Sequence, residues 1–210
     1  MIGLAIHTSS PELGLALIHL EEETTRSRVW PLGRDLTQYL HTCLQDFVQP
    51  YQWRDIAYLA VAKGPGGFTG TRIGVVVART LAQQLSVPLF GISSLAAIAQ
   101  QHQQTLSDQS TQPSHIAVSM QAQRGDVFGA IYQRQAAVVQ VALADAVYSQ
   151  ADWDSKLRTW STPYDLIQAE DGLAHTVTGV LALAHSQWQG SDRPSWETVL
   201  PFYGQHPVHR

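Results

Sequence analysis

Seven consecutive apolar residues, Ile56-Ala57-Tyr58-Leu59-Ala60-Val61-Ala62, lead through Lys63 into Gly64-Pro65-Gly66-Gly67-Phe68-Thr69-Gly70. A helical pattern follows over Arg72–Leu85. An unbroken apolar run of this length, stopped by glycine and proline, reads as a buried strand that turns sharply into a helix. The rest of the chain repeats the theme. Ile2–Ser9 and Leu13–Leu20 read as a hairpin around Ser10-Pro11-Glu12, and a short strand near Ser27–Trp30 follows the solvated turn Glu21–Thr25. Asp35–Val48 is the clearest helix, and Asp35 with Gln38 makes a capping-box pattern at its start. Val87–Gly91 reads as a strand and Ser93–Gln103 as a helix.

After the polar stretch Thr105–Ser114, which contains Pro113, the pattern restarts. Ile116–Met120, Val127–Gln133 and Val138–Val147 read as strands, Gln150–Trp160 and Leu173–Trp188 as helices, and Tyr164–Ala169 as a strand between them. The expected class is α/β, with two related lobes, each a mixed β-sheet flanked by helices. The boundaries are 1–104 for the N-terminal lobe, 105–114 for the linker and 115–210 for the C-terminal lobe. The extended last segment, Thr198–Arg210, is expected to pack back on the N-terminal lobe.

Composition excludes several classes. Apolar residues make up 44% of the 210 and charged residues 14%, so the chain is globular. The formal charge is −4, and no Lys/Arg cluster offers the stripe with which a protein grips phosphates by itself. Cys43 is the only cysteine, so no intrachain disulfide can form and a reducing cytoplasm fits. No apolar run approaches the ~18 residues of a membrane span, and Met1 to Ser10 lacks the features of a signal peptide.

The glycine loop has two readings. It could cradle an anion at a helix N-terminus, or it could let the backbone pass close to another element. It fails the dinucleotide pattern, because Thr69 stands where glycine is needed, and the Walker pattern, because Gly70 is followed by Thr71-Arg72. The nine histidines, among them His206 and His209, include no pair at i, i+4, so a helical metal site is not expected. Cys43 falls on the apolar arc of its helix and reads as a small buried thiol.

That arc is wide. Leu36, Tyr39, Leu40, Cys43, Leu44, Phe47 and Val48 span about 180°, against about 100° for one buried stripe, so the helix is expected to bury two sides. On the next helix Gly74, Ala78 and Ala82 form a row of small residues where another helix could approach closely. Leu36, Tyr39, Leu40, Cys43, Gly74, Val75, Ala78 and Ala82 are therefore the candidate interface. The competing reading packs the small row against the chain's own sheet.

Lys63–Gly74, K-G-P-G-G-F-T-G-T-R-I-G, closely resembles the TsaB family signature G-P-G-S-F-T-G-x-R-I-G. The resemblance extends to Ile92-Ser93-Ser94-Leu95, to the opening around His7-Thr8-Ser9, to Arg124-Gly125-Asp126-Val127-Phe128 and to Pro201-Phe202-Tyr203. It implies an actin/sugar-kinase/Hsp70-like fold and a family loop of Gly64, Pro65, Gly66, Gly67, Phe68, Thr69, Gly70 and Arg72. It implies a non-catalytic subunit in the formation of threonylcarbamoyladenosine in tRNA. The implied partners are a TsaD-like catalytic paralogue, a TsaE-like ATPase and, when the chain is alone, a second copy; tRNA is met only through the complex. No cofactor is required, and weak nucleotide binding between the lobes or at the complex interface is left open. The family start Asp-Thr-Ser is replaced here by His7-Thr8-Ser9, and its Asp-Ala-Arg by Gln121-Ala122-Gln123-Arg124. His7 and Gln121 thus mark degenerate catalytic positions, since neither supplies the hard anionic oxygen that Mg²⁺ needs. The alternatives are an ATP-binding transferase or kinase of the same fold and, with less support, a glycoprotease-type hydrolase.

Overall fold

Strands β1 (Ile2–His7) and β2 (Leu13–His19) pair antiparallel, with Ile2 opposite His19 and His7 opposite Gly14. These coordinates are a computed structural model and describe residues 1–105, 113–202 and 204. β3 (Thr25–Trp30) pairs antiparallel with β2, while β4 (Ile56–Ala62) and β5 (Leu89–Ile92) extend the other side in parallel, giving the order β3-β2-β1-β4-β5. The second sheet repeats this plan. β6 (His115–Gln121), β7 (Asp126–Gln133) and β8 (Gln140–Ser149) form a meander, and β9 (Tyr164–Ala169) lies parallel to β6, in the order β8-β7-β6-β9. An antiparallel meander extended by parallel strands, used twice, is the α/β architecture of the actin/sugar-kinase type.

The first sheet alternates large with small residues instead of apolar with polar. Leu4, Ile6, Leu15, Leu17, Leu59 and Val61 point to one face. There they meet α1 (Leu36–Val48) through Leu36, Leu40, Leu44 and Phe47, and α2 (Phe68–Leu85) through Val75, Ala78 and Ala82. Ala5, Ala16, Ala57, Ala60 and Ala62 point to the other face, toward α3 (Ser94–Thr105) and α5 (Val177–Gln189). Small residues also let the 3-10 turn Leu173–Thr176 ahead of α5 approach closely: a Cβ on Gly14 would stand 2.1 Å from the Ala174 carbonyl oxygen. The same core continues into the second sheet through Ile116, Val118, Ala130 and Tyr132. The far face of that sheet is covered by α4 (Gln150–Thr159), whose Trp153 and Leu157 pack on Ala117, Val127 and Ile131.

Several boundaries differ from expectation. α2 begins at Phe68, with Gly67 as its N-cap, because Phe68-Thr69-Gly70 already form its first turn; glycine and threonine disguise a helix start. β3 begins at Thr25, inside the expected turn. The capping box at Asp35 is absent. α1 is entered from a 3-10 turn, Gly33–Asp35, and Asp35 sits at φ −86° and ψ 3° without a side-chain cap bond, not in the extended geometry a cap needs. α1 also buries one side only, leaving Cys43 half-buried and Tyr39 44% exposed.

The expected linker 105–114 lies largely outside the described residues, as do Tyr203, His206 and His209. Residues 194–202 run from β5 to the end of β4: the Leu89 N–H donates to the Pro194 carbonyl at 3.2 Å, and the Phe202 N–H to the carbonyl of Lys63, just after β4, at 2.7 Å. Among the described residues no helix is long and apolar enough to cross a membrane.

Candidate functional site

A cleft of about 890 Å³ opens between the two sheets. Its walls are the Ser9-Ser10-Pro11 turn, the Gly66–Gly70 segment, Met120, Gln121 and Phe128, and the end of β9 with Glu170 and Asp171. The glycine loop meets its own chain here. The Gly67 N–H donates to the Ser9 carbonyl at 2.7 Å, and the Thr8 hydroxyl donates to the Gly70 carbonyl at 2.8 Å. A Cβ on Gly66 would lie 2.4 Å from the Ser9 carbonyl oxygen, one on Gly70 2.2 Å from that of Thr8, and one on Gly74 2.1 Å from the Thr8 hydroxyl oxygen. Of the two sequence readings, close backbone approach describes this geometry: the glycines let α2 lie against the turn after β1. The Gly67 N–H is thus already taken by Ser9, and the carboxylates Glu170 and Asp171 line the same cleft.

His7 ends β1 fully buried beneath that turn. Its Nδ1 accepts from the Ser9 N–H at 3.3 Å, and its Nε2 has no partner among the described residues. Burial first, and the charge of His175 second, lower its pKa from 6.5 to about 3, so the ring is neutral near pH 7. Gln121 sits exposed at the end of β6 on the cleft wall, which His7 does not line. The two positions singled out in the sequence are therefore not brought together as a pair of ligands. The cleft carboxylates Glu170 and Asp171 escaped the sequence reading; their place just after a parallel strand is the signal that could have found them. Among the described residues no group of three or more His, Cys, Asp or Glu could hold a metal ion.

The candidate interface needs correction. Val75, Ala78 and Ala82 are buried inside the chain, as are Leu36 and Leu40, and Gly74 abuts Thr8. The row of small residues serves the approach of α2 to the chain's own sheet. What α1 and α2 leave outside is Tyr39, Phe68 at 45% exposure and Val76 at 61%, with Ile73, Val77 and Cys43 half-buried. The Arg72 guanidinium lies over the Phe68 ring at 4.7 Å. Burial, then the Asp46 charge, raise the Cys43 pKa, so the thiol stays protonated and is a poor nucleophile.

Residues 34–176 match the family model described as TsaD: tRNA N6-adenosine threonylcarbamoyltransferase. A Bacillus subtilis (strain 168) protein named tRNA threonylcarbamoyladenosine biosynthesis protein TsaB is 31% identical over 98% of this chain and 87% of its own length. The Escherichia coli (strain K12) protein of the same name is 31% identical over 62% of this chain and 54% of its own. Among solved structures, YeaZ from Pseudomonas aeruginosa superposes with a TM-score of 0.74 at 24% identity, covering 97% of this chain and 100% of that one. A structure described as an uncharacterized protein with similarity to peptidase YEAZ, also from Pseudomonas aeruginosa, gives 0.76 at 24% identity over 97% and 99%. These two likenesses show the fold.

Proposed function

The chain belongs to the TsaB family, and we propose that it is a scaffold subunit, without an active site of its own, of the assembly that places threonylcarbamoyl on adenosine in tRNA. The observation that carries this reading is identity spread over 98% of the chain with a protein named for that pathway. Its partners are a TsaD-like catalytic paralogue and a TsaE-like ATPase, in the cytoplasm. Alone, it pairs with a second copy of itself.

The geometry supports a role without catalysis. The family loop is packed against Thr8 and Ser9. A neutral buried imidazole and an exposed amide stand at the degenerate positions His7 and Gln121. The docking face is the outer side of α1 and α2, carried by Tyr39, Phe68 and Val76, with Leu36, Leu40, Val75, Ala78 and Ala82 supporting it from beneath. Large apolar side chains left exposed on two helices suit a partner that covers them. The net charge of −4 is consistent with tRNA being met through the partner.

Reconstitution tests the proposal. The chain is combined with TsaD-like and TsaE-like proteins, ATP, the threonylcarbamoyl donor and unmodified tRNA, and threonylcarbamoyladenosine is measured in nuclease digests. Omitting the chain should abolish the product, and the chain alone should not hydrolyse ATP. Full modification without it would refute the scaffold role. Intrinsic ATP hydrolysis abolished by a point change in this chain would favour the transferase reading instead.

A further inference from the structure

A second cavity, of about 400 Å³, lies at the carboxyl ends of β4 and β5. Lys63 follows β4 and Ser93 follows β5, so the cavity sits where α/β sheets commonly receive ligands. The other side comes from the second sheet: Tyr132 on β7 and Asp145 on β8. One Asp145 oxygen accepts from the Tyr132 hydroxyl at 2.7 Å, and the other from the Ser93 hydroxyl. Ser93 is held in turn by the N–H groups of Leu95 and Ala96 at the start of α3. The carboxylate is thus fixed in place. Burial foremost, with the Asp145 charge, raises the Tyr132 pKa well above its usual value, so that hydroxyl remains a donor. Lys63 lies along Gly91, its Cδ 3.4 Å from where a Cβ there would stand.

Lys63 and Asp145 line one cavity yet form no ion pair with each other or with any described residue. Two opposite charges on an open cavity whose lining also includes the apolar Val139 and Leu183 are complementary to a ligand that is itself charge-separated. We propose that this cavity binds a small apolar α-amino acid, its ammonium group on Asp145, its carboxylate on Lys63 and its side chain on Val139 and Leu183. The volume lies at the small end of ligand pockets and is ample for a free amino acid of the size of valine or leucine. Because Lys63 belongs to one sheet and Asp145 to the other, an occupied site would tie the two lobes together.

The test uses the full chain without partners. L-Valine is titrated by calorimetry and by thermal unfolding, beside N-acetyl-L-valine, which lacks the cation, and L-valine methyl ester, which lacks the anion. L-Valine should give saturable heat and a raised Tm, and each control should bind roughly tenfold or more weakly, since each loses a charge-assisted contact. Lys63→Met should weaken L-valine binding by a similar factor while keeping the parent Tm without ligand. Asp145→Asn should also lose binding, though it disturbs two hydroxyl contacts, so Lys63→Met decides the matter. Failure of L-alanine, L-valine and L-leucine alike to bind would overturn the proposal. So would unweakened binding of L-valine by Lys63→Met, or controls that bind as well as L-valine.

Discussion

At the residue scale the glycine motif separates into positions with different duties. A methyl on Gly70 would collide with the Thr8 carbonyl oxygen at 2.2 Å, a backbone atom that cannot swing away, while one on Gly67 would rest at 3.5 Å from the Ser9 carbonyl oxygen. Gly70→Ala should therefore cost about 1–3 kcal/mol in urea unfolding, the usual range for overpacking. Gly67→Ala, in an ordinary backbone conformation at an N-cap, should cost less than about 1 kcal/mol. Equal losses would show that the loop does not rest on Thr8 as described. His7 sets a second test, in pH. Its folded pKa of about 3 lies below the 6.5 of the unfolded chain. Above pH 6.5 the ring is neutral in both states and adds no slope. Between 6.5 and about 3 the unfolded chain takes up a proton that the folded chain refuses, so stability falls as pH falls, and below about 3 the loss levels off. The total is on the order of a few kcal/mol. In His7→Asn, whose amide oxygen can still accept from the Ser9 N–H, the unfolding midpoint should fall less steeply across that window. A slope identical to that of the parent chain would show that His7 is hydrated in solution.

At the element scale, α2 is the piece whose orientation decides the interface. Ala78 is fully buried and Val76 is 61% exposed, two positions apart on one helix. Val76→Glu should leave stability within about 0.5 kcal/mol, as surface changes do, and should shift the chain from dimer to monomer in sedimentation. Ala78→Glu would bury an unpaired carboxylate against the sheet and should unfold the chain. A Val76→Glu protein that stays dimeric would place the interface elsewhere. The strands β4 and β9 were legible in the sequence to the residue, β4 as an unbroken apolar run and β9 as a short mixed run between Pro163 and the acidic pair Glu170-Asp171. The direction of α2 was not. Gly74, Ala78 and Ala82 form a small-residue row that suits a helix partner and a tightly packed sheet equally, and only the close approach of Gly70 and Gly74 to Thr8 shows that α2 turns this row inward. Tyr39 and Cys43 looked like part of one continuous apolar arc for the same reason: periodicity records which residues share a face but not how far the covering layer reaches.

At the scale of the whole molecule, the chain order and the core divide differently. α5 belongs in sequence to the second half, yet it packs against β1, β2, β4 and β5 of the first sheet. α3 belongs to the first half and packs against β6 and β7 of the second. A cut between residues 105 and 113 would therefore separate the chain without separating the cores. Fragment 1–105 by itself would lose Val177, Val180, Leu181 and Leu183, which cover Ala5, Ala16, Tyr58 and Ala60. At ~1.5–3 kcal/mol for each buried side chain, that is roughly 6–12 kcal/mol, as large as the ~5–15 kcal/mol by which a domain is stable at all. Each fragment, 1–105 and 113–210, should accordingly fail to show a cooperative thermal transition when made alone. The two expressed together should assemble into a particle with the circular dichroism of the intact chain. If fragment 1–105 instead folds alone and melts cooperatively, the first lobe carries its own core, and the contacts of α5 with the first sheet contribute far less than their burial implies.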